Sequence, residues 1–336
     1  MRNPPETPPL GIAREVAAGV FRVSLPIDFQ QDHINVWVLN DGNEISIVDT
    51  GVGTRRTTQL WDEVLQRQFS ARPLRRVICT HWHPDHMGCA GWLIERAREP
   101  LWATRLEWET AHRVAGKGQS QYLADEAEFL RITACDSKIA KQLLDRAGFI
   151  SKHFLPPPDH YRRYTCGEAI DIDADSWQTI LGEGHSPEHA ALYSPSRNVL
   201  IAGDMVLPDT TTFVGIEPSE GLHKNPLKAY LDGLERLKTL PEDVLVLPSH
   251  GEPFVGLHAR IAELEARSER RIDRVLSKLE GTMSVDAVAR RLRSREPTAS
   301  QLYLGLRSAF ACLNYLAARQ SVEHWEEAGV WQYART

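Results

Sequence analysis

Five predicted β-strands in this sequence end at a histidine or an aspartate that lies close to a glycine or a proline. These residues are Asp49, His81, His185, Asp204 and His250. Each follows an apolar run typical of a buried strand. Because a rigid sheet brings the ends of its strands together, side chains at these positions are expected to converge on one site. This repeated arrangement restricts the fold more than any other feature of the sequence.

The densest of these strand ends is the segment 79–88, which follows a short apolar run. It places three histidines and an aspartate within six positions, namely His81, His83, Asp85 and His86. Imidazole nitrogens and carboxylate oxygens together suit zinc and other transition metals. The alternative is a polar surface loop that is rich in histidine, and the tight alternation of donors argues against it. The loop therefore predicts a metal site.

Composition excludes several classes of protein. A chain of 336 residues exceeds one ordinary domain, which favours a large domain with an appendage. A net charge of −6 gives no general attraction to nucleic acid or to anionic membranes, and no apolar run is long enough to span a bilayer. The five cysteines form no Cys-x-x-Cys pair, which favours reduced thiols in a cytoplasmic protein.

The hydrophobic pattern predicts an α/β fold. Strands are predicted at 20–25, 34–39, 44–48, 177–181, 190–193, 199–202 and 244–247, and an Asp-Gly turn joins the second and third of them. A helix is predicted from about Thr54, where apolar residues recur at helical spacing. The segment at about 104–150 is helical and polar, and it either covers the site as a lid or packs on the surface.

With these motifs in place, the sequence resembles the metallo-β-lactamase-fold hydrolase superfamily over about residues 16–255. The motifs that carry the resemblance are, in chain order, His81-x-His83-x-Asp85-His86, Gly184-His185, Gly203-Asp204 and Ser249-His250-Gly251. The first is similar to the signature loop of the superfamily, and the others follow in the order of its later ligand motifs. The resemblance implies an αββα sandwich with metals in a shallow cleft at one edge of the two sheets.

The resemblance also implies two metal sites. It places His81, His83 and His185 on the first metal, Asp85, His86 and His250 on the second, and Asp204 between both. Seven ligands are too many for one tetrahedral ion and suit two ions roughly 3.5–4 Å apart, with a hydroxide between them as the nucleophile. Zinc is the first expectation, and manganese or iron remain open because histidine and aspartate bind all three.

Four further residues have candidate roles, each with an alternative. Asp49 either supports the metal loop or forms a local turn with its own backbone. His189 either supports the ligands from behind or makes an ordinary core hydrogen bond. His223 and Lys224 lie in the long loop after Asp204, where they either contact an anionic part of the substrate or remain solvated.

The pattern divides the chain into a proline-rich flexible tail at 1–15, a catalytic domain at 16–257 and a C-terminal domain at 258–336. Three predicted helices and a hairpin in the last part resemble the winged-helix module that follows the metallo-β-lactamase fold in its glyoxalase II-like branch. This part holds 13 basic and 10 acidic side chains, and its longest helix is mostly apolar. Nucleic-acid binding is therefore disfavoured against packing on the catalytic domain or forming a homodimer.

These features predict a cytoplasmic two-metal hydrolase that cleaves an ester-type bond in a small molecule (class EC 3.1). The branch resembles hydroxyacylglutathione hydrolases and related thioesterases, so a thioester of CoA or glutathione is the first expected substrate and a lactone the second. A thiolate leaves without protonation, and Asp85 is the only evident general acid. The alternative is a phosphodiesterase or ribonuclease of the same fold, which would need a basic groove.

Overall fold

Two β-sheets form the framework that carries the predicted strand ends. The computed structural model of the protein describes residues 9–27 and 32–336. The first sheet consists, in both spatial and chain order, of β1 (Arg14–Ala17), β2 (Val20–Ile27), β3 (Asp32–Asp41), β4 (Glu44–Val48), β5 (Leu74–Ile78), β6 (Leu101–Ala103) and β7 (Tyr161–Arg163). Neighbours from β1 to β4 run antiparallel, and neighbours from β4 to β7 run parallel.

The second sheet has five strands in the described part of the chain. They are β8 (Ala169–Ile172), β9 (Asp175–Gly182), β10 (His189–Ser194), β11 (Val199–Gly203) and β12 (Leu245–Pro248), and they lie side by side in that order. A small third sheet comprises β13 (Met283–Ser284), β14 (Val322–Glu327) and β15 (Val330–Arg335), with β15 in the middle.

The helices cover the outer faces of the sheets and form much of the C-terminal part. They are α1 (Arg55–Gln68), α2 (Pro84–Met87), α3 (Ala90–Ile94), α4 (Arg105–Ala115), α5 (Gln119–Ile132), α6 (Ser137–Ile150), α7 (Pro226–Leu237), α8 (Leu257–Lys278), α9 (Val285–Arg291) and α10 (Ala299–Ala318). The predicted start of α1 is confirmed, because Thr54 caps it by accepting the N–H of Thr57. Within the described ranges, no helix combines the length and apolar character needed to cross a membrane.

Alternation along β3 directs its side chains to opposite faces of the first sheet. Trp37 and Leu39 are buried between the two sheets, whereas Val36 and Val38 pack in the cluster that contains Trp61 of α1. Both faces are therefore covered. This double burial explains why the run is apolar at nearly every position rather than at every second one.

The second sheet is covered on both faces in the same way. Ile201 and Leu247 face the first sheet, whereas Leu200 and Val246 belong to the cluster shared with α7, α8 and α10. The layers are thus helix, sheet, sheet and helix. The predicted α/β class and αββα sandwich are confirmed.

All five predicted strand ends lie at one edge of this sandwich. β4 and β5 are parallel, so Asp49 and His81, which follow them, emerge on the same side. β9 and β11 are both antiparallel to β10, and β12 is parallel to β11. These three strands therefore share one direction, and they lead to His185, Asp204 and His250 respectively.

Hydrogen bonds join the two sheets at this edge. The N–H of Ala190 in β10 donates to the carbonyl of Thr80 after β5 (2.9 Å). Asn35 in β3 donates through its main-chain N–H to Ser249 (2.7 Å) and through Nδ2 to the carbonyl of Gly251 (2.7 Å). The loops after β5 and β12 are thereby fixed relative to the opposite sheet.

Regular structure in the N-terminal segment begins closer to the N-terminus than the sequence indicates. Residues 1–8 of the predicted tail lie outside the described residues, but residues 9–15 are not a flexible tail. The N–H of Gly11 donates to the carbonyl of Ser24 (2.9 Å), and β1 pairs with β2. Gln68 of α1 also donates to the carbonyl of Gly11 (3.1 Å). The backbone groups of this segment are held because strand and helix supply partners for them.

The C-terminal part contains the predicted helices and hairpin, and β13 adds a third strand to the hairpin. Its first helix begins at Leu257, one residue before the predicted boundary. Phe310 and Leu313 of α10 share one core with Leu200 of the second sheet. This part therefore packs on the αββα sandwich, one of the two expected arrangements. A winged-helix module and a homodimer stay predictions.

A buried ion-pair network holds α10 against the rest of the molecule. The guanidinium of Arg307 donates to Glu126 of α5 and to Glu217 in the loop before α7 (2.9 Å). The hydroxyl of Tyr303 donates to the second oxygen of Glu126 (2.8 Å). Burial lowers the pKa of Arg307, but Glu126 and Glu217 outweigh it and hold that pKa well above its ordinary value. The positive charge is thus matched by two carboxylates.

Replacing Arg307 with alanine is expected to destabilise the fold by about 3–5 kcal/mol, because the buried carboxylates lose their counter-charge. The matched control is Arg267→Ala, which removes an exposed ion pair with Glu263 and should change stability far less. Chemical denaturation followed by circular dichroism gives the free energy of unfolding. Equal losses in the two variants would contradict the role assigned to the network.

Candidate metal centre

The short helix α2 shapes the histidine-rich loop. His81 and His83 lie in the loop before the helix, whereas Asp85 and His86 lie within it. Pro84 occupies its first position, where a missing N–H costs no helical hydrogen bond. The four donors of the loop are thereby divided into one pair before the helix and one pair inside it.

The first group of donors comprises His81, His83, His185 and Asp204. Nε2 of His81 lies 2.9 Å from Nδ1 of His83 and 3.2 Å from Nε2 of His185. Oδ2 of Asp204 lies 3.3 Å from Nε2 of His185. Ligands of a tetrahedral ion with bonds of about 2.0–2.1 Å lie roughly 3.3 Å apart. The observed separations therefore suit one ion.

The second group comprises Asp85, His86 and His250. Oδ2 of Asp85 lies 3.3 Å from Nε2 of His250 and 3.8 Å from Nε2 of His86. The other oxygen of Asp204, Oδ1, lies 3.5 Å from Nε2 of His86 and 3.6 Å from Nε2 of His250. One carboxylate thus faces both groups of donors.

Two polar atoms where the groups meet lack a hydrogen-bond partner within the described part of the chain. Nε2 of His86 and Oδ1 of Asp204 are both buried without one. Buried polar atoms are normally paired, so these atoms face a position that a cation would fill. Imidazole and carboxylate are donors that zinc prefers, and manganese and iron accept the same set. The residues fit divalent metal ions.

Asp49 holds two of the histidines from behind. Its carboxylate accepts hydrogen bonds from Nδ1 of His86 (2.9 Å) and from the N–H (2.8 Å) and hydroxyl (2.9 Å) of Thr80. The Thr80 hydroxyl lies 3.0 Å from Nδ1 of His81 and can accept its proton. A histidine whose Nδ1 carries the bonded proton presents Nε2 to a metal. Of the predicted alternatives, the geometry favours support of the metal loop.

His189 contacts the backbone that carries the shared carboxylate. Its Nε2 accepts the N–H of Asp204 (3.1 Å), and burial lowers its pKa well below the ordinary value, so the ring is neutral. Gly203 adopts a φ of 53°, and a Cβ there would lie 2.3 Å from Nε2 of His189. Only glycine permits this approach. His189 therefore orients Asp204 through its main chain.

Glu107 of α4 joins two of the three loops that carry the first group, and no motif reveals it. Its carboxylate accepts the N–H of Trp82 (2.9 Å), the hydroxyl of Ser186 (2.7 Å) and the N–H of Glu188 (2.6 Å). Burial raises its pKa to about 7, although these hydrogen bonds oppose the rise. The only indication in the sequence is its spacing: Glu107 lies four residues before Ala111, on the same buried face of α4.

Electrostatics differ between the two groups. Burial lowers the pKa of His83 to about 3, which keeps its imidazole in the neutral form that binds metals. Burial also lowers the pKa of His250, but Asp204 and Asp85 outweigh it and raise that pKa to about 9. Burial raises the pKa of Asp85, but His86 and His250 outweigh it and lower that pKa to about 2. The carboxylates of the second group thus favour a positive charge at this position.

The donors lie at the base of a cavity of about 580 Å³. Asp85, Asp204 and His250 contribute to its lining. The walls come from α5, α6, the loop after β11 and α10, through Tyr122, Phe149, Phe213, Tyr303, Leu304 and Arg307. The predicted helical segment at 104–150 therefore covers the site, and its action as a lid stays a prediction.

His223 and Lys224 do not line this cavity. The ring of His223 packs against Trp331 in the C-terminal hairpin, with ring centroids 4.8 Å apart. Lys224 borders a second, smaller cavity, and its carbonyl accepts a hydrogen bond from Asn314 of α10 (2.8 Å). The loop is held against the C-terminal part, and substrate contacts by His223 and Lys224 stay a prediction.

Asp49→Asn is expected to weaken binding of the metal held by His86 by about 10–100-fold, because the charge that orients the imidazole is lost. Asparagine also tolerates the left-handed backbone at this position, where φ is 62°. The control is Asp173→Asn, at an aspartate with a φ of 59° outside both donor groups. Competition with a chromophoric chelator measures the affinities, and equal values for wild type and Asp49→Asn would contradict the assignment.

Affinity of the metal-free protein for Zn²⁺ is expected to rise with pH up to about 9. His250 is protonated below a pKa of about 9, and a metal must displace that proton. Below this value, each unit of decrease in pH should weaken binding at the second group by about tenfold for each proton displaced. The carboxylates around His86 outweigh the effect of its burial and also raise its pKa, so it can contribute a second proton. Titration calorimetry in buffers of different ionisation enthalpy counts the protons released. Binding at pH 7 without proton release would contradict the expectation.

Comparison with curated proteins places these motifs in a known family. The family described as the metallo-beta-lactamase superfamily matches residues 30–250. A probable metallo-hydrolase of Bacillus subtilis is 22% identical over 244 residues, which cover 72% of this chain and 92% of the relative. An atrochrysone carboxyl ACP thioesterase of Emericella nidulans is 22% identical over 73% of this chain and 60% of its own length.

Two solved structures superpose on nearly the whole of this chain. A beta-lactamase domain protein from Burkholderia ambifaria superposes with a TM-score of 0.88 at 35% identity, covering 99% of this chain and 97% of that one. A metallo-beta-lactamase family protein from Thermus thermophilus has the same fold, with a TM-score of 0.80 at 23% identity, covering 96% of this chain and 100% of that one. With its two donor groups at the edge of an αββα sandwich, this chain belongs to the metallo-beta-lactamase superfamily.

Proposed function

We propose that this chain is a thioester hydrolase that works with two divalent metal ions, zinc in the first place. The observation that carries the proposal is the position of Asp204. Its Oδ2 faces His185 (3.3 Å), while its Oδ1 faces His86 (3.5 Å). When bound by the two groups, metal ions supply Lewis-acid stabilisation of a carbonyl oxygen and an activated water.

The residues of the chain prepare this site in three ways. Asp204 ties the two groups of donors together, and His189 fixes its backbone. Asp49 keeps the ring of His86 turned towards Asp85 and Asp204. Asp85, which lines the cavity and is held ionised by His86 and His250, is the residue we assign to proton transfer: it would first accept a proton and then pass it to the departing group when one is needed.

A shortage of carboxylic acids outside the donor groups favours thioesters. Among the described residues that line the cavity, Asp85 and Asp204 are the only carboxylic acids, and both belong to the donor groups. A thiolate departs without protonation, whereas an amine leaving from a lactam requires a proton. The resemblance to proteins named as acyl carrier protein thioesterases supports the same choice. Lactones, which share the carbonyl chemistry, are the second candidate.

Phosphodiester hydrolysis has less support. Arg146 and Arg307 are the only arginines or lysines among the described residues lining the cavity, and Arg307 is paired with two carboxylates. A groove for nucleic acid would need several free basic side chains along a phosphate backbone.

We assign the C-terminal part a role as a winged-helix-like cover of the substrate cavity. Free thiols at all five cysteines support a reducing compartment such as the cytoplasm.

A panel of acyl-CoA and glutathione thioesters, lactones, bis(p-nitrophenyl) phosphate and RNA tests the substrate class. We expect kcat/KM for thioesters to exceed that for the other classes by at least about tenfold, which corresponds to about 1.4 kcal/mol in the barrier. Metal analysis of the active protein should give close to two ions per chain. Selective cleavage of phosphodiesters would overturn the proposal.

His86→Ala should reduce kcat for the best thioester by at least about 100-fold, because one donor of the second group is lost. The matched control is His258→Ala. His258 hydrogen-bonds the carbonyl of Leu240 (2.8 Å) and belongs to neither donor group, so its removal should leave kcat within about twofold. A fully active His86→Ala variant would refute the two-group assignment.

A further inference from the structure

Two exposed apolar side chains border the cavity above the donors. Phe149 of α6 is 48% exposed and Leu304 of α10 is 47% exposed, and both line this cavity. Among the described residues, only five large hydrophobic side chains are exposed to this degree or nearly so. Apolar side chains gathered at a cavity, rather than scattered, indicate a surface that an apolar group covers.

The apolar lining continues from these side chains towards the donors. Ile150, Leu207, Phe213 and Trp82 line the same cavity as His83, Asp85 and His250. The volume of about 580 Å³ lies within the range of pockets that hold a small-molecule group of substantial size. An apolar substituent can therefore fill the cavity while the bond that it carries lies beside the donors.

Several polar groups in the walls are paired within the protein, although Nε of Arg307 has no hydrogen-bond partner among the described residues. Arg307 is neutralised by Glu126 and Glu217, and the hydroxyl of Tyr303 donates to Glu126. Arg146 donates to the hydroxyl of Ser300 on α10 (2.6 Å). The charge of Arg307 is thus matched by carboxylates, whereas Arg146 lies on the exposed side of α6, so the part of the wall formed by α10 offers an apolar group no unpaired charge.

We propose that this cavity is an acyl-binding pocket that selects extended or aromatic apolar acyl groups, with Phe149 and Leu304 as the residues that determine specificity. The inference rests on the proposed thioesterase function and adds the class of acyl group. The acyl carbonyl lies at the donors, and the rest of the acyl group lies between α6 and α10. Short polar acyl groups leave the apolar lining uncovered.

Thioesters of N-acetylcysteamine with straight acyl chains of two to twelve carbons test the pocket, because only the acyl part varies. Each methylene buried in the transition state should raise kcat/KM by up to about fourfold, the equivalent of about 0.8 kcal/mol. The increase should stop where the chain outgrows the cavity. A kcat/KM that is independent of chain length would overturn the proposal.

Phe149→Ser and Leu304→Ser should each lower kcat/KM for the longest good substrate by about tenfold and for the acetyl thioester by less than about twofold. Ile12→Ser and Val255→Ser are matched controls, because both side chains are exposed and neither lines the cavity. The controls should keep the full dependence on chain length. Thermal melting of all four variants checks that the fold is retained.

Binding of the corresponding straight-chain carboxylic acids, measured by calorimetry, separates this inference from the proposed function. Affinity should increase with chain length in the wild type and flatten in Leu304→Ser, whether or not any thioester is cleaved. Tighter binding of longer acids without thioesterase activity would refute the proposed function and leave the pocket standing. Cleavage of thioesters together with length-independent binding and kinetics would refute the pocket alone.

Discussion

Burial of negative charge at the edge of the sheets is the constraint on which the rest of the structure depends. Asp49 is fully buried and Asp204 is nearly so, and a buried carboxylate is costly unless it is paired. The pairing groups are imidazoles that arrive from different strands of both sheets. Asp204, which follows a strand of the second sheet, is paired in part with His86 from the first sheet, and the hydrogen bonds of Asn35 and Ala190 across the sheets hold this arrangement in place. Sandwich and site form as one unit.

The donors themselves were predictable from sequence because their signals are local. An apolar run followed by His or Asp marks a strand end, and strands of common direction must release their ends at one edge. Segment 81–86 adds a compact motif that needs no tertiary information. Local chemistry also gave the beginnings of helices, since Thr54 and Ser284 cap α1 and α9 as their hydroxyls suggest.

Contacts between distant parts of the chain were not predictable in this way. Glu107 lies 79 residues before Ser186, and Arg307 lies 181 residues after Glu126. In the sequence, a charged residue on the buried face of a helix looks the same as one on the exposed face. The two can be told apart only when the residue that pairs with the charge is known. The surroundings of His223 were hidden for the same reason, because its neighbour Trp331 comes from the last hairpin. The sequence was therefore enough to identify the metal donors, but the residues that surround them depend on tertiary packing.

The ion pairs of Arg307 also limit how the molecule can move. A C-terminal part that swung away as a rigid body would separate a buried cation from two carboxylates, at a cost of about 3–5 kcal/mol. At about 3 kcal/mol, the open form would be populated below roughly 1%. A substrate must therefore enter and leave the cavity while the C-terminal part stays in place, past the exposed side chains of Phe149 and Leu304. Buried charge thus fixes the wall of the entrance that α10 provides.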